Sequence, residues 1–199
     1  EMVEIGAGGG SIASVDSLGR IHVGPESAGS EPGPACYDRG GTSATVTDAD
    51  ATLGRIDPDG FAGGTMQLSL EKAQKAIDKS VGAPLTLSTL DAAFGLSEIV
   101  EENMANAARV HAIEWGKEIS ERAMIAFGGA APLHAARLAE KLDIDTVIVP
   151  TGAGVGSAIG FLRAPISYEV VRSRYLRLSE FDPNWVNPIL NEMSAEASA

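Results

Sequence analysis

One alternation limits the architecture of this chain more than any other feature. "AMIAFGG" (123–129) reads as a short apolar strand, "PLHAARLAEKL" (132–142) as a helix and "DTVIVP" (145–150) as a second strand. Strand, helix and strand within roughly 30 residues form a βαβ unit, in which the strands run parallel and the crossover is right-handed. The class is therefore α/β. Ligands of open α/β sheets gather at the carboxyl ends of the strands, where helix N-termini point. Gly128 and Gly129 stand at that place, and Pro132 suits the first turn of the helix that follows. The glycine pair fits a ligand-facing turn, and it equally fits close packing of strand on helix. His134 falls in the same first turn, either as a structural hydrogen-bonder or as a catalytic group.

The N-terminal stretch reads as three short strands, "MVEIG" (2–6), "SIASVD" (11–16) and "RIHVG" (20–24), with the turn "DSLG" before the last. Gly8, Gly9, Gly10 and Ser11 lie between the first two. No helix-opening GxGxxG and no GK[ST] is present, so the run is neither a Rossmann fingerprint nor a P-loop. Glycines let the backbone approach a ligand and aim N–H groups at an anion. The run is thus either a tight turn or a phosphate cradle.

Residues 25–50 carry proline, glycine, serine and acids without a sustained period, the pattern of an ordered functional loop or a surface excursion. Within it Cys36 has no visible base and reads as a packing thiol. At its end "TVTDAD" sets Asp48 and Asp50 two residues apart. Their carboxylates suit Mg²⁺ or a positioned water, which makes them catalytic and metal candidates beside His134. The competing reading is a helix cap, with Thr47 or Asp48 as N-cap.

A helical region spans 68–116. Ser69 caps an amphipathic helix that stops at Gly82, and Ser88 with Asp91 opens a longer helix from Thr89 to Trp115, with Gly116 as C-cap. The long helix is apolar on several sides, which predicts burial against several neighbours. Asn103 and Asn106 share that apolar setting. Beyond the βαβ unit, 153–162 reads as a small-residue helix, 167–178 as a strand, and 179–199 as a short helix fading into a polar tail.

Net charge settles several exclusions. At −12 the chain lacks the basic residues that displace phosphate counterions, so nucleic acid and anionic membrane surfaces are disfavoured. No apolar run reaches the ~18–20 residues a bilayer needs. One cysteine and no signal-peptide pattern point to a cytoplasmic setting. His22 and His111 lack partners at metal-ligand spacing, so no zinc site is assigned.

Taken together, "GAGGGSIASVDSLGRIHVGPESAGSEPGPACYDRGGTSATVTDADATLGRIDPDGFAGG", "ENMANAARV", "AFGGAAPLHAARLAEKL" and "VIVPTGAGVGSAIGFL" resemble the hydantoinase A / 5-oxoprolinase family, which includes the large subunits of acetone and acetophenone carboxylases. The resemblance implies an actin-like, sugar-kinase-like (ribonuclease H-like) ATPase lobe, with a mixed sheet and flanking helices, over residues 1–178. Residues 179–199 are its C-terminal helix and tail. Gly8 to Ser11 then match the second phosphate hairpin and Gly128-Gly129 the glycine pair near the adenosine. ATP activates a carbonyl or enolate oxygen by phosphorylation, with Mg²⁺ shielding the phosphate charge. Water then opens a cyclic amide, or a carboxyl group passes to a ketone. A non-catalytic assembly module is the reading from another class.

The family carries an earlier lobe with a "D-x-G-G-T" hairpin, and Gly6 stands here where its "D-x-G-G-G-S" form has an acid. The resemblance therefore implies the C-terminal part of a larger subunit, incomplete without its N-terminal lobe. It also implies a small-molecule substrate and a hydantoinase B-type partner.

Overall fold

The computed structural model describes residues 2–198, which divide into two compact units, one running through Ser157 and the other from Ala158. In the first unit β1 (Ser11–Val15) and β2 (Ile21–Ser27) pair antiparallel, with Ala13 opposite Val23 and Val15 opposite Ile21. Asp16 builds the turn between them. Its Oδ1 accepts the backbone N–H groups of Leu18 and Arg20, each at 2.9 Å, and its Oδ2 accepts Arg20 Nε at 2.8 Å. These donors, the Arg20 backbone N–H foremost, hold the Asp16 carboxyl far below the usual carboxylate range.

"MVEIG" forms no strand. Met2, Val3 and Ile5 are exposed, and no strand among the described residues pairs with them. An unpaired extended segment leaves its N–H and C=O groups to water and gains nothing from a ladder. The glycine run consequently leads into β1 instead of joining two strands.

Four helices surround the hairpin: α1 (Val46–Thr52), α2 (Leu70–Ile77), α3 (Ala83–Leu85) and α4 (Thr89–Glu114). Val46, Ala49, Ile77, Val81, Leu96 and Val100 close over Ala13 and Val23. Many alanines line this core, so the helices approach closely. The N-cap of α1 is Thr45, two residues before Thr47 and three before Asp48, and Asp48 stands at N3 to complete a capping box. Ser69 caps α2 as expected, but Gly82 does not stop it. A π-turn over Asp78–Gly82 keeps Val81 in the core and carries the chain into α3, which ends at Thr86 in the left-handed region.

Ser88 caps α4. Only one side of α4 is covered in this unit. Ala92, Ala93, Leu96, Val100 and Ala105 are buried, whereas Leu90, Phe94, Val110 and Ile113 are exposed. Asn103 and Asn106 are also exposed, correcting the apolar setting expected for them; the Asn106 carbonyl accepts Arg109 Nη1 at 2.9 Å.

The βαβ unit forms as expected from β3 (Ala123–Ile125), α5 (Ala131–Lys141) and β4 (Thr146–Ile148), with the strands parallel. The fold is α/β, but the strands among the described residues make two separate two-stranded sheets, not one mixed sheet. Beyond β4 comes α6 (Gly156–Arg163). In the second unit residues 167–178 form no strand, because Tyr168, Tyr175 and Leu178 are exposed and no described strand lies beside them. The terminal helix α7 (Pro183–Ser198) is longer than a fading tail. Glu192 and Glu196 on α7 pair with Arg172 at 2.9 and 2.8 Å. No described helix is long and apolar enough to cross a membrane.

Candidate functional site

Both glycine sites of the sequence open onto one cleft of about 490 Å³, lined among others by Gly9, Gly10, Thr47, Asp50, Arg55, Phe61 and Gly129. The first turn of α1 holds the Gly9 side of the cleft. The Gly9 carbonyl accepts the Thr47 backbone N–H and the Thr47 hydroxyl, each at 2.8 Å. A side chain at Gly9 would place Cβ 2.6 Å from Thr47 Oγ1, so any larger residue must push that hydroxyl aside.

Gly8 and Ser11 do not line the cleft. The Gly8 N–H donates to Ser11 Oγ at 3.0 Å, and Ser11 is buried, so the pair ties the loop to itself. Gly128 also turns away: it adopts a φ of 108°, and its N–H donates to the Ala153 carbonyl at 2.7 Å. Gly129 is the member of the second pair that faces the cleft, with open space where a Cβ would stand.

Asp48 and Asp50 part company despite their spacing. Asp48 is buried and clamps the preceding loop. Its Oδ1 accepts the Cys36 N–H at 2.7 Å. Its Oδ2 accepts the N–H groups of Ala35 and Thr45, at 3.2 and 2.9 Å, and the Thr45 hydroxyl at 2.8 Å. A metal ion could bind there only by displacing these donors. Cys36 is buried beside it, and burial first, then the Asp48 charge, pushes the thiol far up.

Asp50 lines the cleft and belongs to a buried charge cluster. Arg55 Nη1 reaches Asp50 Oδ1 at 3.2 Å, Glu101 Oε1 at 3.1 Å and Ser97 Oγ at 2.6 Å. His134 stands behind the cleft, with Nδ1 at 2.9 Å from Glu101 Oε1. Its Nε2 lies 3.2 Å from Asp50 Oδ2, close enough to pair but off-line for a hydrogen bond. Thus α1, α4 and α5 meet through two carboxylates and two cations.

Burial opposes the charged form of His134, but the close carboxylates of Asp50 and Glu101 outweigh it and raise the imidazole to about 9. Burial likewise works to raise Glu101, yet His134, Arg55 and Ser97 win and its carboxyl lies below the ordinary value. Sequence patterns missed Arg55, Ser97 and Glu101. The available signal was Ser97 and Glu101, polar residues four apart on the covered face of a long helix, which must find partners there. Among the described residues no group of three His, Cys, Asp or Glu side chains is arranged to hold a metal ion.

A glycine-bordered cleft with charged side chains at the junction of three helices is the candidate site of an α/β domain. The chain belongs to the hydantoinase/oxoprolinase family, whose model matches residues 1–170. It is 45% identical over 181 residues to the acetophenone carboxylase gamma subunit of Aromatoleum aromaticum, covering 90% of this chain and 24% of that one. Among solved structures, the nucleotide-free acetone carboxylase matches with a TM-score of 0.76 at 32% identity, over 82% of this chain and 23% of that one. The ATP-dependent caprolactamase of Pseudomonas jessenii matches with a TM-score of 0.75 at 35% identity, over 96% and 28%. The chain therefore spans about a quarter of the length of the relatives it matches.

Proposed function

We propose that this chain supplies part of the ATP site of an enzyme that hydrolyses a cyclic amide of the hydantoin or 5-oxoproline type. One observation carries the reading: Gly9, Gly10 and Gly129, far apart in sequence, line the same cleft with Asp50 and Arg55. The likeness to an ATP-dependent caprolactamase supports it. In this reading residues 1–178 are one lobe of an actin-like nucleotide fold, and the rest of the site comes from a lobe earlier in the full-length protein. A hydantoinase B-type subunit completes the enzyme, which works in the cytoplasm.

The chemistry is activation followed by hydrolysis. The amide carbonyl oxygen takes the terminal phosphoryl group of ATP, releasing ADP. Water then attacks the activated carbon, the C–N bond breaks with the departing nitrogen taking a proton, and a second water splits the resulting acyl phosphate into carboxylate and phosphate. In this chain the glycines admit the nucleotide backbone closely, and Arg55 offsets phosphate charge. The cleft-lining carboxylates are Asp50 and Asp57. Mg²⁺ keeps several waters and takes one or two carboxylates plus substrate phosphates, so Asp57 fits a nucleotide-borne ion that neutralises phosphate charge, while Asp50 is already paired with Arg55 and His134. Asp48 does not fit, since its oxygens are engaged.

The test is ATP hydrolysis by the full-length protein with its partner subunit, measured with and without hydantoin, 5-oxoproline or caprolactam. Stimulation by a cyclic amide supports the reading, and none by any of them overturns it. A second reading, an ATP-dependent carboxylase of acetone or acetophenone type, is favoured by the 45% identity to an acetophenone carboxylase subunit. Bicarbonate-dependent consumption of either ketone would establish it. A third, a non-catalytic assembly module, draws on the exposed Leu90, Phe94, Val110 and Ile113 of α4. A monomeric purified chain that binds no apolar dye would rule that out.

A further inference from the structure

We propose that Arg55 is an oxyanion-binding residue, held by buried acceptors so that its remaining N–H groups serve a phosphoryl or carboxylate group in the cleft. The inference deepens the function proposed above and rests on the cleft being the ligand site.

Arg55 is anchored through one nitrogen. Every hydrogen bond of its guanidinium to the described residues comes from Nη1, which reaches Asp50, Ser97 and Glu101 and stands 3.4 Å from His134 Nδ1. Nη2 and Nε have no protein acceptor among those residues, although Arg55 lines the cleft and its side chain is only 26% exposed. The acceptors on Nη1 are themselves fixed: Asp50, Ser97 and Glu101 are buried, and His134 holds both carboxylates from behind. A guanidinium presents its N–H groups as a rigid planar fork. Fixing one corner therefore fixes the direction of the others, which suits paired recognition of two oxygens of one anion.

Charge balance agrees with this role. Asp50 and Glu101 are matched by Arg55 and His134, so the cluster carries no surplus cation to repel a metal ion travelling with the anion. Asp57 is the further carboxylate on the cleft. It disfavours a bare anion and suits one that arrives with a divalent cation.

Two sources offer this chemistry: the phosphates of the nucleotide and a carboxylate on the organic substrate. The experiment compares wild-type full-length protein, with its partner subunit, against Arg55→Met and Arg55→Lys. Calorimetry measures Mg²⁺–pyrophosphate, and competition measures 5-oxoproline against 2-pyrrolidinone, the same ring without its carboxylate. A phosphate role predicts pyrophosphate binding weakened on the order of 10- to 100-fold in Arg55→Met, with part restored in Arg55→Lys. A carboxylate role predicts unchanged pyrophosphate binding and loss of the preference for 5-oxoproline.

Where Arg55→Met does not fold, phenylglyoxal labelling of Arg55 in the wild type gives the answer, because pyrophosphate or 5-oxoproline must then protect it. Unchanged affinities in a folded Arg55→Met, absence of protection, or failure of the wild type to bind any of these anions overturns the proposal. Pyrophosphate binding needs no turnover. It is therefore read even when no cyclic amide is hydrolysed, and the two proposals fail separately.

Discussion

His134 Nδ1 stands 2.9 Å from Glu101 Oε1, and this contact joins α5 to α4 directly behind the cleft. Both side chains are almost wholly buried, at 4% and 0% exposure. Removing one partner leaves the other's charge inside the protein, a loss that exceeds any gain from the bond itself. His134→Ala is expected to cost about 3–5 kcal/mol in urea unfolding. A loss under 1 kcal/mol would show that the cluster relaxes into water.

The same contact sets a pH dependence. The imidazole is raised from 6.5 to about 9 in the folded chain, so its proton is bound more tightly there than in the unfolded chain. Its stabilisation is fully present below pH 6.5 and is lost as pH rises through about 9. The loss is on the order of 3 kcal/mol. Unfolding free energies measured from pH 6 to 10 should fall across that window in the wild type and fall clearly less in His134→Gln, where the buried Cys36 thiol alone of these two groups still opposes high pH. A ring proton that leaves near pH 6.5 by NMR would contradict this.

Asp48 and Asp50 should respond differently to the same change. Asp48→Asn removes acceptors from Cys36, Ala35 and Thr45 and should lower stability by about 1–3 kcal/mol. Ligand affinity per folded molecule should hold. Asp50→Asn unbalances the cluster that fixes Arg55 at the cleft, and is expected to reduce turnover even where the fold survives. Thermal melts paired with calorimetry on both variants check the division.

Glycine substitutions separate a structural from a ligand-facing role. Gly9→Ala forces Thr47 Oγ1 aside and breaks its bond to the Gly9 carbonyl, so stability should fall by about 1–2 kcal/mol. Gly8→Ala meets open space and should be silent by both measures. Gly129→Ala also meets open space within the protein yet faces the cleft. It should leave the melting temperature nearly unchanged and weaken ATP binding several-fold. Equal affinity for ATP would return Gly129 to a packing role.

Local patterns were legible where neighbouring residues decide conformation. The caps at Ser69 and Ser88, the Asp16 turn and the parallel βαβ unit follow from spacing and side-chain chemistry within a few residues. "MVEIG" and 167–178 were misread because strand character describes a side chain's preference for a half-buried ladder, and neither segment has a partner. Arg55 and Glu101 escaped because nothing in their own neighbourhoods singles them out. They become a site only when α1, α4 and α5 converge.

The sequence by itself determined an α/β chain with two glycine sites, because period and glycine content act along the backbone. Only the tertiary structure decided that Asp50 faces the cleft while Asp48 clamps a loop. The two share spacing and chemistry, and what separates them is which buried donors lie within 3.5 Å once the helices have packed.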